Sequence, residues 1–290
     1  MHGQLTHIPF NRSFVVGRYD AQKGDEVVTV RERRPAATLV GVRRALAWSP
    51  LLLVLVGCGT TANVASSTLP PVDSPKCRPG VVRAGSPNVA VAAVVVRSSA
   101  RAYRRPGARP FARFGRLNVN GFPTFFRVLS MVRGPDCALR WLRVQLPIKP
   151  NGVTGYVRAQ AVDTGRVRSR VVVDLSSKRL TLFRNGRRVF GTTVAVGSSA
   201  TPTPTGRYYV NQRLIPSDSG GPFGPAAIGI SAYSNVLTGW AQGGPIAIHG
   251  TNEPWSIGHA VSNGCIRLRN PVLRRLFKVT PAGTPVVIRQ

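Results

Sequence analysis

The stretch IAIHGTNEPWSIGHAVSNGCIRL, Ile246 to Leu268, decides how the chain is read. It opens on an apolar, strand-like run that ends at His249-Gly250-Thr251. Sixteen residues after the histidine comes Cys265, inside Ser262-Asn263-Gly264-Cys265-Ile266-Arg267-Leu268. A thiol with an ordinary pKa near ~8.5 is mostly protonated at neutral pH, so a nucleophilic cysteine needs a base or a cation beside it. His249 can accept that proton and leave a thiolate–imidazolium pair. Gly264 lets backbone amides approach a reacting carbonyl closely, which makes the amides of Gly264 and Cys265 a candidate oxyanion hole. Glu253 is the only acidic residue after Asp218, so the carbonyl of Gly250, and not a carboxylate, is expected to orient His249. Arg267 would sit on the same face of an extended segment as the thiol, where it could favour the thiolate or hold a substrate carboxylate. Ser262, Asn263, Thr251 and Tyr233 are the other candidate substrate contacts, with Phe223 and Trp255 flanking the cleft. The competing reading is a satisfied histidine and a buried thiol. A metal site is disfavoured, because no Cys-x-x-Cys or His-x-x-x-His spacing occurs.

Outward from this stretch, the chain from about residue 168 reads as β structure. Val171 to Leu175 is a buried-type run, and Leu180-Thr181-Leu182-Phe183 leads into Asn185-Gly186, a strong two-residue hairpin signal, with Val189 to Val196 returning. Tyr208 to Gln212, Ile228 to Tyr233, Ile246 to His249 and Val286 to Arg289 supply further strands. One short helix is signalled by Asn270 as N-cap, Pro271 at the first helical position, and an apolar face of Leu273, Leu276 and Phe277. Residues 77–165 carry shorter apolar runs separated by Gly, Pro and Asn, as a small all-β module would. Trp141-Leu142-Arg143-Val144, followed by Gly152 and Gly155-Tyr156-Val157, resembles the closing strands of bacterial SH3-like barrels.

Ala45 to Gly57, ALAWSPLLLVLVG, follows Arg43-Arg44 and precedes Cys58. Thirteen residues fall short of the ~20 needed to span a bilayer, so the run reads as a signal-peptide core. Leu55-Val56-Gly57-Cys58 resembles the lipobox of bacterial lipoproteins, which implies acylation of Cys58 and a mature chain that begins there. Residues 42–57 are then the signal peptide and 58–76, rich in Pro, Ser and Thr, a flexible tether. A start at Val42 or Val40, read as an initiator codon, would leave residues 1–41 as an upstream extension. With Cys58 taken, Cys77 and Cys137 bracket the SH3-like segment, and their pairing would staple it by roughly 4 kcal/mol in the chain-entropy model. Cys265 is left single.

The pattern His249-Gly250-Thr251, then Gly258, then Ser262-x-Gly264-Cys265-Ile266-Arg267-Leu268, resembles the signature of L,D-transpeptidases with the YkuD-type catalytic domain. The resemblance extends over 168–290 through Val173-Asp174-Leu175, Leu180 to Phe183 and Thr203-Pro204-Thr205-Gly206. It implies a mainly β protein, with a β-sandwich catalytic domain behind the SH3-like module, and a cysteine acyltransferase without a cofactor. Its substrate would be the peptidoglycan stem tetrapeptide. Cys265 would attack the bond between the diamino acid at position three and D-Ala, and a second stem's amine would resolve the thioester as a 3→3 cross-link. Water as acceptor would make the enzyme an L,D-carboxypeptidase, and a wall-binding lipoprotein without activity is the reading from another class. Asn263 stands where some relatives carry His, and His259 falls off the catalytic positions, as a solvated loop residue.

The composition fits this setting. The 290 residues hold 40 Lys plus Arg against 10 Asp plus Glu, a formal charge of +30, with only five lysines. Such an excess predicts polyanionic surroundings. It is spread along the chain with no nucleic-acid-binding motif, so anionic lipid headgroups and acidic wall polymers are expected partners, and nucleic acid is not. An exported, membrane-anchored protein facing the wall or periplasm is the expected location.

Overall fold

The computed structural model describes residues 17–19 and 78–290. The expected signal peptide, Cys58, the tether and Cys77 lie outside the described residues, as does the upstream extension apart from one strand, β1 (Gly17–Tyr19). No helix among the described residues is long and apolar enough to cross a membrane.

The protein is mainly β, as the alternation of its apolar runs requires. In chain order come β2 (Gly80–Arg83), β3 (Ala90–Val95), β4 (Ser99–Tyr103), β5 (Pro110–Gly115), β6 (Phe125–Arg133), β7 (Leu139–Gln145), β8 (Thr154–Arg158) and β9 (Val162–Val167). These pair in the order β5-β4-β8-β7-β6-β3-β9, with β2 added on β6. Inward residues alternate along the strands and form one core of Val91, Ala93, Phe126, Leu142, Val144 and Val157. No pairing among the described residues joins β5 to β9, so the strand path alone does not make this sheet the SH3-like barrel expected from Trp141 and Gly155. Cys137 is disulfide-bonded, and the partner expected for it, Cys77, is outside the described residues.

The second set is β10 (Ser169–Asp174), β11 (Arg179–Arg184), β12 (Arg187–Thr193), β13 (Val196–Gly197), β14 (Gly206–Pro216), β15 (Ala227–Tyr233), β16 (Pro245–His249), β17 (Ala260–Ser262), β18 (Ile266–Arg267), helix α1 (Asn270–Val279) and β19 (Pro285–Arg289). The order is β12-β11-β10-β19-β14-β15-β16-β18. The long strand β14 turns this path into a sandwich. Its first half, Gly206–Tyr209, pairs with β19, and after a register shift between Val210 and Gln212 its second half pairs with β15. A strand that changes partners across such an irregularity makes the corner between two sheets. Strand β1 pairs in parallel with the far end of β14, at Leu214 to Pro216. The Asn185-Gly186 hairpin forms as read: both residues take left-handed backbone angles, φ 51° and 80°, which suit the right-handed twist of β11 and β12.

Helix α1 buries Leu273 and Leu276 against the core of Val171, Leu180, Val210, Ile228, Ile248 and Val286. Its start departs from the expectation. Asn270 is not the N-cap: Arg269 holds that place without a side-chain bond, and the Asn270 Oδ1 accepts the Thr251 N–H at 2.8 Å instead. The oxygen ties the helix to the segment after His249.

The two β regions share a third apolar cluster, Ala92, Phe122, Phe125, Val167, Tyr209 and Ala282. Polar contacts reinforce it. The Tyr209 hydroxyl donates to the Phe125 carbonyl at 3.0 Å, and the Gln145 side chain donates to the Arg207 carbonyl at 2.7 Å. Asn151 grips the Tyr233 backbone twice, accepting its N–H at 2.9 Å and donating to its carbonyl at 2.8 Å. Asn118 and Asn120 both donate to Gln212, and Gln242 donates back to Asn120 at 2.9 Å. The first region thus braces both ends of the connection between β15 and β16.

Candidate active site

Strand β16 carries His249 at its last position. Ile246 and Ile248 point into the core, 2% and 0% exposed, so Ala247 and His249 face the other side. Parallel pairing of Ile248 with Ile266 and His249 with Arg267 brings β18 alongside. Cys265, one residue before β18, lies level with Ala247, whose N–H donates to the Cys265 Sγ at 3.4 Å. Thiol and imidazole therefore come from neighbouring strands at adjacent levels of one sheet.

The turn before the cysteine is held from within. The Ser262 hydroxyl donates to the Cys265 carbonyl at 2.5 Å and accepts the Gly264 N–H at 3.2 Å. The Thr203 hydroxyl donates to the Gly264 carbonyl and accepts the Gly197 N–H, each at 2.8 Å. Gly264 has φ 104°, and a Cβ there would come to 3.0 Å from the Ile246 side chain, so glycine alone fits. Beside this frame opens a cleft of about 520 Å³ whose walls include Val196, Gly197, Pro202, Thr203, Asn235 and Ala260.

His249 is 4% exposed, and its Nδ1 lies 2.6 Å from the Gly250 carbonyl. A carbonyl only accepts, so Nδ1 carries the proton and Nε2 keeps its lone pair. The Phe223 ring packs edge-on against the imidazole, 4.9 Å between centroids. Burial pushes the His249 pKa down to about 4; the Gly250 carbonyl opposes the shift and the Arg267 guanidinium adds to it. Burial likewise pushes the Cys265 thiol up, against the Ala247 N–H and Arg267. Burial thus disfavours the charged form of both groups and weighs against a standing thiolate–imidazolium pair.

Residues 168–288 match the model of the YkuD L,D-transpeptidase catalytic domain. The putative L,D-transpeptidase YkuD of Bacillus subtilis strain 168 is 41% identical over 120 residues, 41% of this chain and 65% of that protein. The putative L,D-transpeptidase YqjB of the same strain is 30% identical over 128 residues, 41% of this chain and 69% of that protein. This chain belongs to the L,D-transpeptidase family. The catalytic domain of the E. faecium L,D-transpeptidase, solved by NMR, is 23% identical, with 42% of this chain and 96% of that one covered at a TM-score of 0.31. The chain covers about 65% of the length of the YkuD protein it matches.

Within this L,D-transpeptidase domain, several residues read as substrate contacts are committed elsewhere. Ser262 is buried and clamps its own turn. Thr251 is 4% exposed, with its N–H on Asn270 and its hydroxyl accepting the Glu253 N–H at 2.9 Å. Tyr233 faces the first β region: its hydroxyl donates to the Pro147 carbonyl at 2.7 Å, and the Lys149 ammonium lies 5.9 Å from its ring centre. Arg267 is not a free cation, because its guanidinium meets the Glu253 carboxylate at 2.5 Å. The Gly264 amide is already bonded to Ser262, which leaves the Cys265 amide as the oxyanion donor still to be tested. Asn263, Trp255 and His259 are exposed. Thr203 and Asn270 went unrecognised as parts of the site. Thr203 stood in the Thr203-Pro204-Thr205-Gly206 motif, but one hydroxyl in a loop gives no sign of a partner some sixty residues on.

Proposed function

We propose that residues 168–290 are a peptidoglycan L,D-transpeptidase with Cys265 as nucleophile and His249 as general base and acid. The observation that carries the reading is the fixed tautomer of a buried histidine, Nδ1 on the Gly250 carbonyl, on the strand whose Ala247 amide touches the thiol. As the Cys265 Sγ attacks the carbonyl of the diamino acid–D-Ala bond, His249 Nε2 takes the thiol proton. The carbonyl oxygen becomes an oxyanion facing the Cys265 amide. Collapse breaks the C–N bond, His249 returns the proton to the departing D-Ala amine, and a thioester remains on Cys265. A side-chain amine of a second stem then attacks the thioester and gives its proton to His249. The 3→3 amide forms and the thiol is restored. Because burial disfavours both ions, deprotonation accompanies attack in this reading and is not completed beforehand.

The same proposal places the protein outside the cytoplasm, held at the membrane by a lipid on Cys58 and stapled by a Cys77–Cys137 disulfide; the disulfide-bonded state of Cys137 supports the exported setting. Stem tetrapeptides incubated with the protein and with Cys265→Ala, followed by mass spectrometry of the muropeptides, test the reaction. Cross-linked dimer from the wild type alone is the expected result. A tripeptide product alone selects the hydrolase, and no product from either refutes the assignment.

A further inference from the structure

The outward face of the first β region carries a row of arginines across adjacent strands. Ala100 and Ala102 of β4 point into the core, so Ser99, Arg101 and Tyr103 point out. Arg101 stands opposite Arg113 on β5. On its other side Ala102 pairs with Val157 and Tyr103 with Tyr156, so the next step of the register sets Arg101 beside Arg158 of β8. Arg158 in turn pairs with Trp141 of β7. Neighbouring strands lie about 4.8 Å apart, and like charges directly opposite each other destabilise a sheet.

No acidic side chain among the described residues pairs with the row. Among the described residues no ion pair involves Arg97, Arg101, Arg113 or Arg158. The carboxylates of residues 78–167 are Asp136 and Asp163 alone, and Asp136 is paired with Arg140 at 2.6 Å. The row is nevertheless held in place. The Arg113 Nε donates to the Ser99 hydroxyl at 3.0 Å, and the Arg97 Nε to the Gln160 carbonyl at 3.4 Å. The Arg158 guanidinium lies over the Trp141 ring at 4.7 Å, and Tyr103 meets that ring edge-on at 5.1 Å. Between them lies a cleft of about 410 Å³ lined by Arg97, Ser99, Arg101, Tyr103, Arg158 and Gln160.

We infer that this face binds a phosphodiester-linked polyol or sugar polymer of the cell wall. Guanidinium forks match phosphate oxygens two at a time, and a fork on each successive strand suits a chain with an anion on every short repeat. Tyr103, Trp141 and Tyr156 add flat apolar surface for the carbon faces of the repeats. The choice of a wall polymer over a nucleic acid rests on the proposed wall function; the arginine row does not depend on it.

The test is titration calorimetry of the full chain with poly(glycerol phosphate), and in parallel with polygalacturonate, dextran and poly(dT). The expected result is salt-sensitive binding of poly(glycerol phosphate), weakened about tenfold or more in R101Q/R158Q through lost charge-assisted hydrogen bonds. R187Q/R188Q removes the same charge from the β11–β12 hairpin, outside the row, and should weaken it less than about twofold, since charges that do not touch the polymer act only through the screened field. Equal losses in the two variants, or equal binding of dextran, would overturn the inference. Tighter binding of poly(dT) through Arg101 and Arg158 would assign the face to nucleic acid, and equal binding of polygalacturonate would remove the preference for phosphate. Titration needs no turnover, so its failure is distinct from failure of the transpeptidase reading.

Discussion

The two β regions use arginine and buried polar groups in opposite ways. Residues 168–290 hold 15 Lys plus Arg against 3 Asp plus Glu, and residues 78–167 hold 16 against 2, so their charge is almost the same. Around Cys265 the polar side chains are turned inward: Ser262, Thr203, Thr251 and Asn270 each bond to backbone. On the face of β4, β5 and β8 they are turned outward and meet no acid among the described residues. Charge count therefore says little about what a region does. The polar groups around Cys265 hold the frame of the site, whereas Arg101, Arg113 and Arg158 make no ion pair among the described residues.

Removing the base should separate the regions most sharply. His249→Ala is expected to lower kcat by about 100-fold or more, the scale of a lost general base, with the fold intact. Circular dichroism together with muropeptide assays checks this, and near-normal turnover would return His249 to a structural role. Core truncations come next. Ile248→Ala and Leu142→Ala should each cost about 2–5 kcal/mol in denaturant unfolding, but only Ile248→Ala, which loosens β16 beneath His249, should lower kcat out of proportion to the folded fraction.

Thr203→Val keeps the shape and deletes the hydroxyl between Gly197 and Gly264. It should cost about 1–3 kcal/mol, expressed mainly in kcat because the turn before Cys265 loses its hold; a loss confined to stability would mean that the turn is set by Ser262 alone. Asn151→Ala cuts both bonds to the Tyr233 backbone across the junction. A loss of about 1–2 kcal/mol is expected, with faster protease cleavage within residues 234–244, and unchanged cleavage would show that the first region does not brace that connection.

A further effect is in pH. With its pKa near 4 in the folded protein and about 6.5 unfolded, His249 binds more protons when unfolded, so its contribution to stability is present above the unfolded value and is lost as pH falls toward 4. The acid limb of kcat/KM should likewise lie near pH 4. A limb near the ordinary histidine value would mean that the site is wetter than its burial implies.

Much of this was legible in the sequence because it depends on neighbours along the chain. Asn185-Gly186 reads as a turn because its left-handed angles are local, and β10, β11, β15, β16 and β19 read as strands because short apolar runs bounded by turn residues are local. The Gly250 carbonyl was legible as the partner of His249 because no acidic residue competed for the place. Asn270 misled because a helix cap is the local use of an asparagine, and only the fold brings the Thr251 amide within its reach. Tyr233, Thr251 and Ser262 misled in the same way: lying near the motif in sequence says nothing about which way a side chain faces.

The sequence by itself determined that the chain is mainly β, that its last 120 or so residues carry a thiol and an imidazole in an L,D-transpeptidase pattern, and that it is strongly basic throughout. Only the tertiary structure decided the rest: that β16 and β18 run side by side and set Cys265 against the Ala247 amide, that burial weighs against both ions of the pair, that Glu253 partly neutralises Arg267, and that arginines from three strands line up on one face. The reason is common to all four. Burial, dielectric and cross-strand register depend on groups distant in the chain, which no local pattern of residues records.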